Sequence, residues 1–586
     1  MSNKNTMKKK NKELKAKLSA ALKKNTILYL SFLILIIMFS ITRLPFFLHY
    51  PVVDFDGDSP YYYMNVDQID KGMWPAFIIR TPGYPLFLKF VFLFFNTNIS
   101  LIALQNILSL LTSLFFIYVI HKVYAGRFKF LPLFTAIGMG AFISGSIHLI
   151  SDTSFMTESL FVSFLVLFFA LFILAIHSKK NLNWVSISIC MAVLILIRPS
   201  ALFFLLVSVI IIIFLLLNSY KKKAVFLFVI PFVLILFLTA LYNYFTIGTF
   251  SVSTFTENAL ISFTATFLEK SDTYPPEVNE AIEKCRDRIR TVHKNVMENS
   301  WDPEKLSKVL KRYYNRNRKL IFSILIKYEK EDSYSLYLKW MPILKKVALN
   351  SILSRPKIYF KYIYSNLLNI FFNSMGDADF YHMLKKRYLK ALNYKSYFTK
   401  SILDRDSIRY KAHPLRLYSK KEYGGNITEA FPKSFLKEYW DPEVLSKIKM
   451  KKVGRKKAVI IPTFLQRVHQ SFKVIHEFLF RNISWIFIFF FTLIFSFIKL
   501  LKSRFHHKDA FILFIMTFSA LLHGVVVATA SLPILRLIYP MTFVYYLSLF
   551  LLPIIIDFDS KWFTKIKTVT TRKSTDTFAS GGQKPF

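Results

Sequence analysis

Apolar runs approaching the length of a bilayer crossing recur along the chain, and they constrain its fold more than any other feature. A helix needs ~20 apolar residues to cross a membrane. In lipid only backbone that satisfies its own hydrogen bonds is tolerated, which leaves helices or a closed barrel. The runs lack the period-two alternation of barrel strands, so helices are expected. Composition agrees: 54% of the 586 residues are hydrophobic, with 63 Phe and 31 Tyr, and the mean hydropathy is +0.38. A soluble chain of this size lacks the interior to hide so much apolar surface. The expected fold class is an all-α integral membrane protein, with about ten transmembrane helices and a mostly helical extracytoplasmic domain.

The expected spans lie near 27–49, 99–119, 130–150, 158–176, 184–197, 201–217, 224–242, 482–501, 509–530 and 537–556. A lysine-rich tail, residues 1–26, precedes the first. No small-residue cleavage site follows its apolar core, so this helix is read as uncleaved, with its N-terminus in the cytoplasm. His121, Lys122, Arg127 and Lys129, then Lys179 and Lys180, then Lys221, Lys222 and Lys223 fall on alternate loops. Lys502, Arg504, His506, His507 and Lys508 fall on another, as the positive-inside rule requires. The opposite loops, around 151–157 and 198–200, carry fewer basic groups, and residues 50–98 carry Asp54, Asp56, Asp58, Asp67 and Asp70. Both termini are then cytoplasmic. The richness in Lys, Ile, Phe and Asn points to an AT-rich bacterial genome and a bacterial plasma membrane. The net charge of +43 follows this topology, with a further share on the outer domain, and no nucleic-acid motif appears, so nucleic acid is excluded as a partner. Pro199 interrupts the runs 184–197 and 201–217, which are read as a broken or re-entrant pair. Cys190 and Cys285 lie in unlike surroundings, one apolar and one charged, and no bridge between them is expected.

The chain divides into the tail 1–26, a core 27–242 with first outer loop 50–98, an extracytoplasmic domain 243–477, C-terminal helices 478–556, and a polar cytoplasmic tail 557–586. In the outer domain Asp302-Pro303-Glu304 and Asp441-Pro442-Glu443 each place an N-cap Asp before a proline at the first helical position. Gly424-Gly425-Asn426 reads as a turn. Ile358–Phe372 is aromatic and amphipathic and is expected to lie along the membrane interface. The basic stretch 447–457 is expected to meet an anionic partner, and a solvated face is the alternative.

Residues 54–90 carry the densest chemistry. A carboxylate cluster is followed by aromatics and then by Arg80 in the words Asp-Ser-Pro-Tyr-Tyr-Tyr and Arg-Thr-Pro-Gly-Tyr-Pro-Leu-Phe-Leu. A carboxylate takes a proton from a hydroxyl, and a guanidinium grips a phosphate through its planar fork. A solvated acidic loop followed by an interfacial turn explains the same residues. A calcium loop does not, because the Asp54–Asp58 word lacks the ligand spacing and the terminal Glu.

These words resemble the first outer loop of the GT-C fold membrane glycosyltransferases, the protein mannosyltransferase-like and aminoarabinose transferase-like (family 39/83-type) enzymes. The resemblance runs on through residues 96–120, 155–175, 195–207 and 241–261, thins beyond 270, and returns at Arg-Leu-Ile-Tyr-Pro-Met, 536–541. It implies a GT-C type bundle and inverting transfer of a sugar from a polyprenyl-phosphate donor to an acceptor hydroxyl at the outer face, in the cell envelope. The acceptor is a lipid, a glycan or a protein, and membrane lipids are the surrounding partners. Asp58 matches the family's first-loop aspartate, a base or acceptor-aligning group, with Glu158 a second catalytic candidate. Arg80, Arg198 and Arg536 are implied to hold the phosphate, with Tyr84, Asp152 and Tyr539 beside them. Some relatives use a divalent cation, and the resemblance makes Asp58, Asp152 and Glu158 the candidates to hold one with the donor phosphate here.

Each of these residues has a second account. Glu158 suits the positive end of a helix dipole. Arg198, between apolar runs, is costly and so functional by default, with snorkelling as the alternative. Tyr84 packs against Pro82 and Pro85, Arg536 flanks a helix end, and Tyr539 suits an interfacial belt. A polytopic transporter or lipid flippase without transferase activity is the alternative function, and a scaffold or inactive relative a third. A transporter calls for polar groups at the midplane, often on paired broken helices, whereas here the polar landmarks gather at helix ends.

Overall fold

The computed structural model describes residues 25–44, 59–70, 80–95, 98–328, 334–370, 485–530 and 542–554, apart from single positions at 179, 219, 221 and 254. Helices make up the membrane region: α1 (Asn25–Leu44), α2 (Ser59–Asp70), α3 (Gly83–Phe94), α4 (Asn98–Tyr124), α5 (Leu131–Ser144), α6 (Ser146–Asp152), α7 (Thr157–Ser178), α8 (Asn181–Ile197), α9 (Phe204–Leu217) and α10 (Lys222–Ile247). After an extramembrane segment, α17 (Trp485–Lys502), α18 (Lys508–Ala530) and α19 (Thr542–Leu551) complete it. Six helices among the described residues are long and apolar enough to cross a membrane: 25–44, 100–124, 157–178, 199–217, 222–246 and 508–529. The chain is an all-α, multi-pass membrane protein.

The number six corrects the expected ten. The run 130–150 is divided at Gly145, whose ψ of 142° ends α5 and restarts the chain as α6, so neither piece reaches bilayer length. The run 184–197 forms α8, seventeen residues long. Arg198 (φ −143°, ψ 124°) then turns the chain into a 3₁₀ segment, Pro199–Phe203, that leads into α9. Arg198 thus stands at the turn between α8 and α9, which run in opposite directions, since Trp184 at the start of α8 meets Tyr220 just past the end of α9 edge to face at 5.8 Å; α8 itself packs on α7 and α10. The segment between α1 and α4 holds two short helices, α2 and α3, packed together.

Contacts at both ends show that the long helices alternate in direction. At one end Nε2 of His121 is 3.4 Å from the Asn25 side chain, Tyr124 and His177 converge on Asp509, and Asn218 donates to the Phe505 carbonyl at 2.9 Å. Arg127, Lys129, Lys180 and Arg504 on the loops, and Lys222, Lys223, Lys502 and Lys508 in the terminal helical turns, fall at this basic end. Asp509 there takes a bond from Tyr124 at 3.0 Å and an ion pair with Arg127 at 3.0 Å, fastening α4 to α18. Between the ends the core is aromatic: α7 packs between α4 and α8, and Phe214 stacks on Phe511 at 3.7 Å between α9 and α18.

The extramembrane region is helical: α11 (Phe255–Thr264), α12 (Pro276–Asp287), α13 (Thr291–Asn299), α14 (Pro303–Tyr328), α15 (Tyr334–Ser354) and α16 (Pro356–Leu368). Two apolar clusters hold it, one around Leu325, Leu344 and Val347, the other around Phe263, Leu310 and Tyr362. Buried Asn317 bridges them by donating to the Ala265 carbonyl at 2.7 Å. Cys285 is buried, and burial pushes its thiol up to about 12, so it is inert near neutrality; Cys190 and Cys285 are both free thiols. The domain docks on the far end of α18, away from the basic end: Tyr359 donates to the Thr529 carbonyl and Asn366 to the Ala528 carbonyl, each at 3.1 Å. Helix α16 therefore has protein on one side, which the expectation of a purely interfacial helix did not include. The word at 441–443, the turn at 424–426 and the stretch 447–457 lie outside the described residues.

Asp302 caps α14 as expected, accepting the amides of Glu304 at 2.9 Å and Lys305 at 3.2 Å. These bonds hold its carboxyl below the usual carboxylate range. A depressed folded value places the stabilisation above the unfolded pKa of about 3.9 and removes it as pH falls through the folded value. Hydrogen exchange at the first-turn amides of α14 should stay protected as pH falls through 4, about the ordinary range, and Asp302→Ala should remove that protection at every pH. Equal protection in the two proteins contradicts the cap.

Candidate functional site

The end of the bundle opposite the basic loops holds a knot of buried polar groups around Asp152. Its Oδ2 pairs with Arg43 at 2.7 Å and lies 3.2 Å from His148 Nε2, while Oδ1 accepts from Ser159 at 2.6 Å. Arg43 closes α1 and is itself buried. It donates to Asn106 at 3.2 Å, to Thr42 at 2.9 Å and to the Ile143 carbonyl. His148 bonds Ser109 at 2.7 Å. Gln105 donates to the carbonyls of Asp152 and Ser154, each at 3.1 Å, and Asn106 to that of Asp152 at 3.3 Å. The knot ties α1, α4, α6 and α7 and explains the break at Gly145, since a continuous helix would not carry both Ile143 and Asp152 to one guanidinium. A buried ion pair is a weak source of net stability, but losing one partner costs about 3–5 kcal/mol because the other charge stays buried alone.

From this knot a chain of contacts runs to the residues singled out in the sequence. Gln105 accepts from the Tyr84 hydroxyl at 3.0 Å, and Tyr84 is fully buried with its ring edge-on to Tyr62 at 4.8 Å. The Arg80 guanidinium lies over the Tyr62 ring at 5.6 Å. Tyr84 is anchored through Gln105 and Tyr62, beyond the local proline packing expected of it. Glu158 stands in the first turn of α7, buried, 3.5 Å from Arg198 Nη1 and within electrostatic reach of Tyr84. Arg198 is also buried, lies over the Phe161 ring at 5.7 Å, and has no hydrogen-bond partner at Nη1. Both accounts of Glu158 therefore hold geometrically: it occupies a helix N-terminus and it faces a cation.

Gly83 brings these groups together. A Cβ added there would sit 2.7 Å from the backbone carbon and oxygen of Leu196 and 2.8 Å from the nitrogen of Ile197. Only glycine lets the first turn of α3 lie directly on the last turn of α8, and Arg198 follows that turn immediately. The Pro-Gly word of the first loop and the Ile-Arg-Pro word of residues 197–199 are thus in backbone contact. Across the bundle, buried His523 of α18 stacks on Phe161 at 6.2 Å and meets Phe203 edge to face at 5.7 Å.

Of the residues expected to act, Arg80, Tyr84, Asp152, Glu158 and Arg198 gather at this end, while Asp58, Arg536 and Tyr539 lie outside the described residues. Asp152, read in the sequence as substrate-binding, has both carboxylate oxygens engaged by protein. Arg43, Gln105, Asn106, His148 and His523 were not singled out. The signal for His148 and His523 was available, because an ionisable side chain inside an apolar run is a functional candidate by default. Among the described residues no group of three or more His, Cys, Asp or Glu is placed to hold a metal ion. Comparison with family models, curated proteins and solved structures finds no match to this chain.

Two substitutions test the architecture. Gly83→Ala should force α3 off α8 and lower thermal stability in detergent by about 1–3 kcal/mol, the usual cost of overpacking. Arg43→Met should cost about 3–5 kcal/mol, and adding Asp152→Asn should restore part of it. A double variant no more stable than Arg43→Met would show that the two charges are not coupled.

Proposed function

We propose that the protein is a membrane glycosyltransferase that moves a sugar from a polyprenyl-phosphate donor to an acceptor hydroxyl, with inversion, in a bacterial plasma membrane. One observation carries the reading. The backbone contact at Gly83 joins the first-loop word to the Arg198 turn, two of the several words that together carry the resemblance to GT-C enzymes. Arg198, buried at the turn between α8 and α9 and paired with Glu158 only at the long distance of 3.5 Å, is suited to an anion that arrives from outside the protein.

In this reading the donor phosphate is bound by Arg198 and Arg80, with Arg536 and Tyr539 as further contacts. The acceptor oxygen attacks the anomeric carbon as the bond from that carbon to the phosphate oxygen breaks. The bonding electron pair leaves with the phosphate, already a stable anion, so no strong general acid is needed. The acceptor proton passes to Asp58, the residue immediately before α2. Arginine forks that meet growing negative charge on the leaving phosphate stabilise the transition state more than the ground state. Glu158 keeps Arg198 oriented until the phosphate enters, and Tyr84 fixes α3 so that Arg80 stays in place. Outward placement of this end follows from the basic loops at the other one.

Turnover with a polyprenyl-phosphate sugar should fall by roughly two to four orders of magnitude in Asp58→Asn, the worth of a positioned acid or base. Donor affinity should change little. Arg198→Ala and Arg80→Ala should instead weaken donor binding about 10- to 100-fold, as expected when a charge-assisted hydrogen bond is lost. Asp54→Asn and Asp56→Asn serve as controls. If all three aspartate variants behave alike with folding intact, the loop acts as a general electrostatic surface and the single-base mechanism is wrong.

A further inference from the structure

Helices α15 and α16, joined at Arg355, expose a band of apolar, aromatic and basic side chains. On α15 the exposed positions include Lys345, Lys346, Leu349 and Leu353, and on α16 they include Lys357, Phe360 and Tyr364, spacings that keep each set on one helix face. Leu353 is 77% and Phe360 62% exposed, values that a water-facing helix rarely gives to side chains of this size. The opposite face of α16 is buried: Tyr362 packs on Phe267 and Phe263, and Lys361 donates to the Met297 and Glu298 carbonyls that end α13. From Tyr334 to Leu368 the sequence contains Lys339, Lys345, Lys346, Arg355, Lys357 and Lys361 and no acidic residue.

The place of this band identifies its occupant. Tyr359 donates to the carbonyl of Thr529, the last residue of the membrane-length segment 508–529, and the Phe360 ring lies 6.3 Å from the Tyr359 ring. The Tyr364 ring meets half-exposed Trp301 at 5.9 Å, so the aromatic patch continues onto the turn before α14. Aromatic rings at the end of a span, in a stretch of sequence that carries lysines and no acidic residue, match the headgroup layer in depth and in charge. We propose that the band on α15 and α16 is a lipid-binding surface, lying in the headgroup region of an anionic bilayer and holding the extramembrane domain against the membrane. It is independent of sugar transfer.

The native thiols Cys190 and Cys285 are both buried, so a single introduced cysteine can carry an environment-sensitive fluorophore on the full chain. Leu353→Cys, Phe360→Cys and Tyr364→Cys, with Val292→Cys as the reference on α13, would be labelled in nanodiscs of phosphatidylglycerol and phosphatidylcholine holding one copy each. Val292 is 71% exposed, so its label reports water. Doxyl-labelled lipid should quench the label at 353, 360 and 364 several times more strongly than at 292, with blue-shifted emission. Replacing Lys345, Lys346 and Lys357 by Glu should reduce the quenching at 360. Emission that is blue-shifted but unquenched would mean that protein, not lipid, covers the band. Quenching no stronger than at 292 would mean a solvated face. Either result overturns the proposal.

Discussion

The pairing of Arg43 with Asp152 is the interaction on which the rest of this structure depends. Neither charge is tolerable alone inside an apolar bundle, so each fixes the other, and with them the ends of α1 and α6. The remaining polar atoms of Asp152 then recruit Ser159 at the start of α7, Gln105 and Asn106 on α4, and, through Gln105, Tyr84 on α3. A membrane bundle made mainly of Phe, Leu and Ile has little directional chemistry with which to choose one register over another. Concentrating hydrogen bonds at one end supplies that choice, and the geometry of the candidate site follows from it.

Much of the fold was legible because hydropathy is a long-range average. The spans expected at 158–176, 224–242 and 509–530 match helices 157–178, 222–247 and 508–530 within a few residues. The same averaging hid the break at Gly145, since residues 130–150 are apolar enough to read as one run, and their division is decided by the tertiary demand of Arg43 for the Ile143 carbonyl. Arg43 itself falls inside the first expected span, 27–49, as His148 and His523 fall inside theirs, an ionisable group within an apolar run. Only its partner a hundred residues on gives it meaning. The cap at Asp302 was legible because it is local, needing only Asp, Pro and Glu in order. The role of Gly83 was not, because the clash that demands glycine comes from the backbone of Leu196.

The extramembrane helices and the bundle form a connected design. Helix α18 begins at the basic end with Asp509, passes His523 beside Phe161, and ends where Tyr359 and Asn366 of α16 take its last carbonyls. Motion of the domain would therefore be felt along α18 at the side of the candidate site. Glu158 and Arg198 stand at the same end, buried and facing one another at 3.5 Å, too long for a good hydrogen bond at that guanidinium nitrogen. A shorter, charge-assisted contact to an arriving phosphate oxygen would hold that nitrogen better than this long ion pair does. This is the physical basis for reading the site as a receptor for an anionic substrate.

The most direct measurement is transfer itself. Purified protein in nanodiscs would be incubated with radiolabelled polyprenyl-phosphate sugars and with membranes from a strain lacking the gene. The account predicts that label moves from the donor lipid to a membrane or envelope acceptor, and that Arg198→Ala slows the movement about 10- to 100-fold at donor concentrations well below the native Kd, the loss shrinking as donor is raised. Binding of the donor without any transfer of label, across the sugars offered, would contradict it and favour a transporter or flippase.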